Sequence, residues 1–122
     1  MKILGIGIDL ENISRFRKLP CKKNRHFYEK IFTAGEIKYC LVKTDPYPSF
    51  AARFAAKEAV IKALPFDKLR AGSKQVSRKD IEISLKSGNI DVRIRGLKNL
   101  KIFVSMTHTK EVAAAIAIIT RR

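Results

Sequence analysis

The chain opens on strict alternation. Leu4, Ile6, Ile8 and Leu10 fall on one face of a strand over residues 2–10, and Ile3, Gly5, Gly7 and Asp9 on the other, because strand side chains repeat every two residues. The second face is stripped by two glycines and ends in a carboxylate. Glycine weakens a strand, so two on one face predict that another group approaches the backbone closely. Asn12 or Ser14 is placed to cap a short helix ending before Pro20. Residues 22–31 form a second, basic helical stretch, and Thr33-Ala34-Gly35-Glu36 reads as a capping box that starts a helix through about Val42. Asp45-Pro46-Tyr47-Pro48 predicts a turn, with Ser49 capping a helix over residues 50–64 that Pro65 closes. Residues 66–79 hold Lys68, Arg70, Lys74, Arg78 and Lys79 with little apolar periodicity and read as an exposed loop.

Alternation then returns. Ile81, Ile83 and Leu85, a Ser87-Gly88-Asn89 turn, and Ile90, Val92 and Ile94 make a hairpin signature. Ile102, Val104 and Met106 predict another strand, and the nearly continuous apolar run over 112–119 a central one. A strand, then helices, then strands argues an α+β fold in a single domain over residues 1–122, with no internal repeat.

Composition changes the picture mainly through charge. A chain of 122 residues fits one domain with a small core, so association with further copies would help it. Lys plus Arg number 26 against 11 Asp plus Glu, a net charge of +15 that draws in polyanions without saying which. Nucleic acid, an anionic membrane, a phosphorylated small molecule and an acidic protein all qualify. A nucleic-acid module would want exposed aromatics among its basic residues, whereas there is no Trp and Phe32, Phe50 and Phe54 read as core. Cys21 and Cys40 make no zinc spacing with His26 or His108, which suits two reduced thiols in a cytoplasmic protein. No apolar run approaches the ~20 residues of a membrane span. The amino terminus turns acidic at Asp9 and Glu11 and does not read as a secretion signal.

On a wheel of the 50–64 helix, Phe50, Phe54, Ile61 and Leu64 form the core stripe, with Glu58 on its edge and Ala51 and Ala55 beside it. Lys62, four residues after Glu58, shares its face; the two read equally as a surface ion pair. Lys57 falls inside the apolar sector, where a lysine must snorkel or meet an anion. Asp9 reads either as a turn or cap aspartate or as a ligand. Brought together, Asp9 and Glu58 would suit Mg²⁺, which takes one or two carboxylates plus substrate phosphates. His108, at a strand end before Thr109, reads as a phosphate or proton-transfer partner or as a simply hydrogen-bonded histidine. No glycine-rich phosphate loop is present.

Four segments together resemble a known family. They are Gly5-Ile6-Gly7-Ile8-Asp9 with Arg15; Phe32-Thr33-Ala34-Gly35-Glu36 with Cys40; Arg53-Phe54-Ala55-Ala56-Lys57-Glu58-Ala59 with Lys62; and Val104-Ser105-Met106-Thr107-His108-Thr109. In order and spacing they resemble the holo-acyl-carrier-protein synthases, the small single-domain class of 4′-phosphopantetheinyl transferases, from residue 3 to about residue 119. The resemblance implies an α+β domain with a long helix packed on an antiparallel sheet, assembled as a homotrimer with active sites at subunit interfaces. It implies transfer of 4′-phosphopantetheine from coenzyme A to a serine of an acidic apo-acyl carrier protein, with release of adenosine 3′,5′-bisphosphate, for fatty acid synthesis in the cytoplasm. Asp9 and Glu58 match the positions that hold Mg²⁺, and Glu58 and Lys62 those that carry the chemistry. Arg53, Lys57, Lys62, His108 and Thr109 match the coenzyme A cleft. Arg15, Lys18, Lys22 and Arg25 match the carrier-protein surface, with Arg17 and Lys23 adding charge. A catalytically weak homologue is the rival within the family, and the presence of Asp9, Glu58 and Lys62 argues against it. The chain departs from the family after Lys62: Pro65 stands where a Gly-Thr-Gly-like turn is expected, and proline supplies neither an N–H nor a positive φ.

Overall fold

The computed structural model describes residues 2–65 and 75–122, so the first nine residues of the expected 66–79 loop lie outside the described residues. Strand β1 (Ile3–Asn12) leads into three short helices, α1 (Ile13–Arg17), α2 (Arg25–Ile31) and α3 (Ala34–Leu41). Among the described residues, the long helix α4 (Tyr47–Ala63) follows, then a 3-10 turn (Arg78–Asp80), the hairpin β2 (Ile81–Lys86) and β3 (Asn89–Ile94), and strands β4 (Leu100–His108) and β5 (Val112–Arg121). One antiparallel sheet runs β1-β5-β4 and the hairpin forms a second, which is the expected α+β plan with the apolar 112–119 run at the sheet centre.

Helix α4 lies on the glycine face of β1. A Cβ at Gly5 would stand 1.8 Å from the Ala63 carbonyl oxygen, and one at Gly7 2.0 Å from that of Ala59. The close approach that the two glycines predict is therefore made by a helix backbone. Small side chains on α4, including Ala55, Ala56, Ala59 and Ala63, are buried against Ala115 and Ala117 of β5 and let the two layers meet. Further along α4, Phe50 and Phe54 join Phe16, Tyr28 and Phe32 in an aromatic cluster that locks α1 and α2 to the helix, with the Tyr28 and Phe50 rings 4.7 Å apart. Cys21 and Cys40 are buried free thiols, and burial raises the pKa of both.

Local expectations met different fates. The capping box is present: Glu36 N–H donates to Thr33 Oγ1 at 3.2 Å and Thr33 N–H to Glu36 Oε1 at 2.8 Å. Asn12 stands at the N-cap of α1, although its side chain makes no cap bond. Helix α4 starts at Tyr47, so the segment expected as a turn is its first turn and Ser49 lies inside it. Pro46 and Pro48 are tolerated there because the first helical N–H groups have no intrahelical partner to lose. Arg78 and Lys79, expected in an exposed loop, are half-buried in the 3-10 turn.

Candidate active site

Where β1 meets the middle of α4, three carboxylates gather and each has its own cation. Asp9 lies on the α4-facing side of β1, and Lys62 Nζ donates to its Oδ1 at 3.0 Å and to the Ile8 carbonyl at 3.0 Å. Glu58 Oε1 accepts from Arg78 Nη1 at 2.6 Å. Glu11, two residues beyond Asp9 and so on the same strand face, accepts from Arg15 Nη1 at 3.3 Å. Phe54 lies beneath two of these cations, with the Arg15 and Arg78 guanidinium carbons each 5.1 Å from its ring centroid. Glu58 and Lys62, read as a possible helical pair, thus choose other partners.

The electrostatics single out Glu11 among the three. Burial, then the hydrogen bond and charge of Asp9, push the Glu11 carboxyl up to about 7; Arg15 opposes the rise and Glu58 adds to it. A proton on Glu11 would be shared with Asp9. With both ionised, Asp9 Oδ2 is buried and has no hydrogen-bond partner among the described residues. An orphaned carboxylate oxygen beside two further carboxylates fits a hard cation bound by oxygen. Among the described residues no three acidic, histidine or cysteine side chains are disposed to close round an ion.

Lys57 requires correction. It was expected at the cofactor, but its side chain is fully buried and its ammonium is taken inside the fold. Nζ lies 2.6 Å from Glu36 Oε1, 2.7 Å from the Ile81 carbonyl, 2.9 Å from that of Ile31 and 3.0 Å from that of Arg78. An ammonium has three protons and none remains for a ligand. Lys57 met an anion, as its place in the apolar stripe demanded, and the anion is Glu36.

The remaining candidates are dispersed around this centre. Arg53, one turn before Lys57 on α4, is buried with its guanidinium 4.3 Å from the Tyr39 ring centroid, and its Nε has no partner among the described residues. His108 is exposed at the end of β4 with Nδ1 3.1 Å from the Thr109 carbonyl oxygen. It shares a row with Glu11, both pairing with Ala113 across β5, which sets their strands roughly 10 Å apart. Thr109 Oγ1 accepts from Val112 N–H at 3.1 Å and Glu111 N–H at 3.2 Å and builds the β4–β5 turn. On the basic surface, Arg15, Arg17 and Arg25 are paired with Glu11, Asp45 and Glu29, whereas Lys18, Lys22 and Lys23 are exposed and make no ion pair among the described residues.

Sequence reasoning missed Glu11 and Arg78. Glu11 was detectable, since a residue two along a strand shares its neighbour's face. Arg78 left no local signal, because it reaches Glu58 across 20 residues of chain.

Known proteins share both sequence and fold. The sequence model of the 4′-phosphopantetheinyl transferase superfamily matches residues 5–117. A holo-[acyl-carrier-protein] synthase of Thermodesulfovibrio yellowstonii is 42% identical over 97% of this chain and 99% of its own. One from Chlamydia caviae is 45% identical over 97% and 98%. The crystal structure of a holo-(acyl-carrier-protein) synthase from Bacillus anthracis, in complex with CoA (3′,5′-ADP), superposes with a TM-score of 0.79 at 30% identity, covering 98% of each chain. Over nearly its whole length, then, this chain belongs to the 4′-phosphopantetheinyl transferase superfamily, among the holo-[acyl-carrier-protein] synthases.

Proposed function

We propose that this enzyme transfers 4′-phosphopantetheine from coenzyme A to a serine of an acidic apo-acyl carrier protein in the cytoplasm, for fatty acid synthesis, with Mg²⁺ held by Asp9 and Glu58. The observation that carries the metal assignment is the buried Oδ2 of Asp9, without a hydrogen-bond partner among the described residues, next to Glu11, whose carboxyl in turn feels the charge of Glu58. The bound ion would supply neutralisation of pyrophosphate charge. In the reaction the serine oxygen forms a bond to the phosphorus that bears pantetheine, and the bond from that phosphorus to the bridging oxygen breaks. Adenosine 3′,5′-bisphosphate leaves with the electron pair. The serine proton leaves through Glu58, half-buried on α4, or through water at the ion. Lys62, fixed by the Ile8 carbonyl and Asp9, offers its charge to the leaving phosphate.

We assign Arg53, His108 and Thr109 to the coenzyme A cleft. The unpartnered Arg53 Nε supports a phosphate there, and the exposure of His108 at a sheet end supports its use by a neighbouring subunit of a homotrimer. The basic surface of Arg15, Lys18, Lys22 and Arg25 receives the carrier protein.

The test is mass spectrometry of apo-acyl carrier protein incubated with coenzyme A and Mg²⁺. Wild-type enzyme is expected to add one phosphopantetheine. Asp9→Asn and Glu58→Gln are expected to lose at least about a hundredfold in turnover at saturating Mg²⁺, the usual scale for a lost electrostatic group. Near-normal turnover of either variant would remove it from the metal site.

A further inference from the structure

The cation that Glu58 holds is supplied by a side chain with an anchored stem and a half-exposed head that lies over the Phe54 ring. Arg78 Nη1 lies 2.6 Å from Glu58 Oε1, and its side chain is 42% exposed. Its backbone is fixed: the Arg78 carbonyl accepts from buried Lys57 at 3.0 Å, and Ser77 N–H and Oγ both donate to Asp80 across the same turn. With Arg78 42% and Glu58 23% exposed, the pair stands between an exposed and a buried one, and its arginine end stays in contact with water. A guanidinium and a metal ion both seek the oxygen lone pairs of Glu58, so the arrival of one weakens the hold of the other.

We propose that Arg78 is an exchangeable counter-cation of the active site, which rests on the assignment of Glu58 as a metal ligand: it neutralises Glu58 in the metal-free enzyme and moves to a phosphate of coenzyme A when the metal binds. The planar fork of an arginine matches phosphate oxygens bidentately, and the substrate brings a pyrophosphate to this point. Lys62 is the counterpart on Asp9, but it is held additionally by the Ile8 carbonyl, whereas the Arg78 head has Glu58 as its one hydrogen-bond partner among the described residues. The same residue therefore has opposite effects on two ligands. It opposes metal binding and favours coenzyme A binding.

Binding of Mn²⁺ in place of Mg²⁺, read as loss of the free-ion electron paramagnetic resonance signal without coenzyme A, tests the first half. Arg78→Met is expected to bind Mn²⁺ about two- to fivefold more tightly than wild type, the scale of one exposed ion pair. Arg93→Met controls for net charge. It removes the same unit charge from an exposed arginine paired with Asp91 on the hairpin, and is expected to bind Mn²⁺ as wild type does. Calorimetric titration of coenzyme A into the Mn²⁺-loaded proteins tests the second half. Arg78→Met is expected to bind coenzyme A at least about threefold more weakly, and Arg78→Lys, which keeps the charge, to fall between Met and wild type. Mn²⁺ affinity in Arg78→Met no tighter than in Arg93→Met overturns the exchange, as does undiminished coenzyme A affinity. Undiminished Mn²⁺ affinity in Glu58→Gln overturns the metal assignment beneath it, a result distinct from a silent Arg78 at a Glu58-dependent site.

Discussion

Lys57 Nζ lies 2.6 Å from Glu36 Oε1, and neither side chain reaches solvent. The second carboxylate oxygen of Glu36 accepts from Ile83 N–H at 2.7 Å, so one ion pair ties α3, α4 and the β2–β3 hairpin together. Removing one partner of such a pair leaves a buried charge unmatched. Lys57→Met is expected to lower unfolding free energy by about 3–5 kcal/mol in urea titration, and Lys57→Met with Glu36→Gln to recover part of it. Burial lowers the Lys57 pKa and Glu36 opposes that shift. A loss below about 1 kcal/mol would mean that the pair adds little to holding the hairpin.

Gly7 sets the distance between β1 and α4. Gly7→Ala puts a methyl group 2.0 Å from the Ala59 carbonyl oxygen, where only backbone movement relieves the clash. It is expected to cost at least about 1–3 kcal/mol, the range for overpacking. Any folded fraction should bind divalent metal more weakly, because Asp9 and Glu58 lie on the two elements forced apart. Thermal melting and Mn²⁺ titration check both. Gly88, at a positive φ with open space around a Cβ, is the contrast, since substitution there strains the turn and leaves the site alone.

These pairs also show what the sequence could reveal. Period-two alternation located β1 and the hairpin, and Thr33 with Glu36 marked the start of α3, because those signals are local. Alternation divides a strand into two faces but does not say which is inward. The isoleucine face of β1 is outward: Ile8 and Leu10 are 63% and 65% exposed, and the glycine face is covered. Partner choice was equally hidden. Helical spacing offered Lys62 to Glu58, yet Lys62 found Asp9 across 53 residues and Glu58 found Arg78. Such choices depend on the packing of α4 on β1, which no window of sequence contains.

On the basic surface, ion pairing separates free charges from satisfied ones. Arg17 makes two bonds to Asp45, at 2.7 and 3.0 Å, and Arg25 one to Glu29 at 3.3 Å, whereas Lys18 and Lys22 have no acidic partner among the described residues. Lys18→Glu with Lys22→Glu is therefore expected to lower kcat/KM for carrier protein by about tenfold or more at low ionic strength. Arg25→Gln should cost less, because it changes the charge by one unit rather than four and the Arg25 charge is already matched by Glu29. The difference should shrink toward 0.5 M salt, where charges are screened within about 5 Å. Steady-state kinetics at two salt concentrations decide it, and equal effects of the two variants would count against this docking surface.

The outward face of the three-stranded sheet bears on assembly. Strand register places Ile6, Ile118 and Phe103 in one row and Ile8, Ile116 and Ser105 in the next. Ile6, Ile8, Leu10, Phe103 and Ile116 are all at least 39% exposed. Contiguous apolar surface of this kind marks an interaction site more often than a solvated one, and burying it gains about 25 cal/mol per Å². β1 carries Asp9 toward α4 on one face and this apolar row on the other, so a contact between copies through the row would brace the proposed metal site from behind. Ile8→Lys is expected to shift the proposed homotrimer to monomer in sedimentation velocity at micromolar concentration. With His108 supplied by a neighbour, the same variant should lose coenzyme A affinity about tenfold or more while retaining its helical circular dichroism. Wild-type protein sedimenting as a monomer would overturn the assembly, and a monomeric Ile8→Lys that binds coenzyme A normally would show each subunit's cleft to be complete on its own.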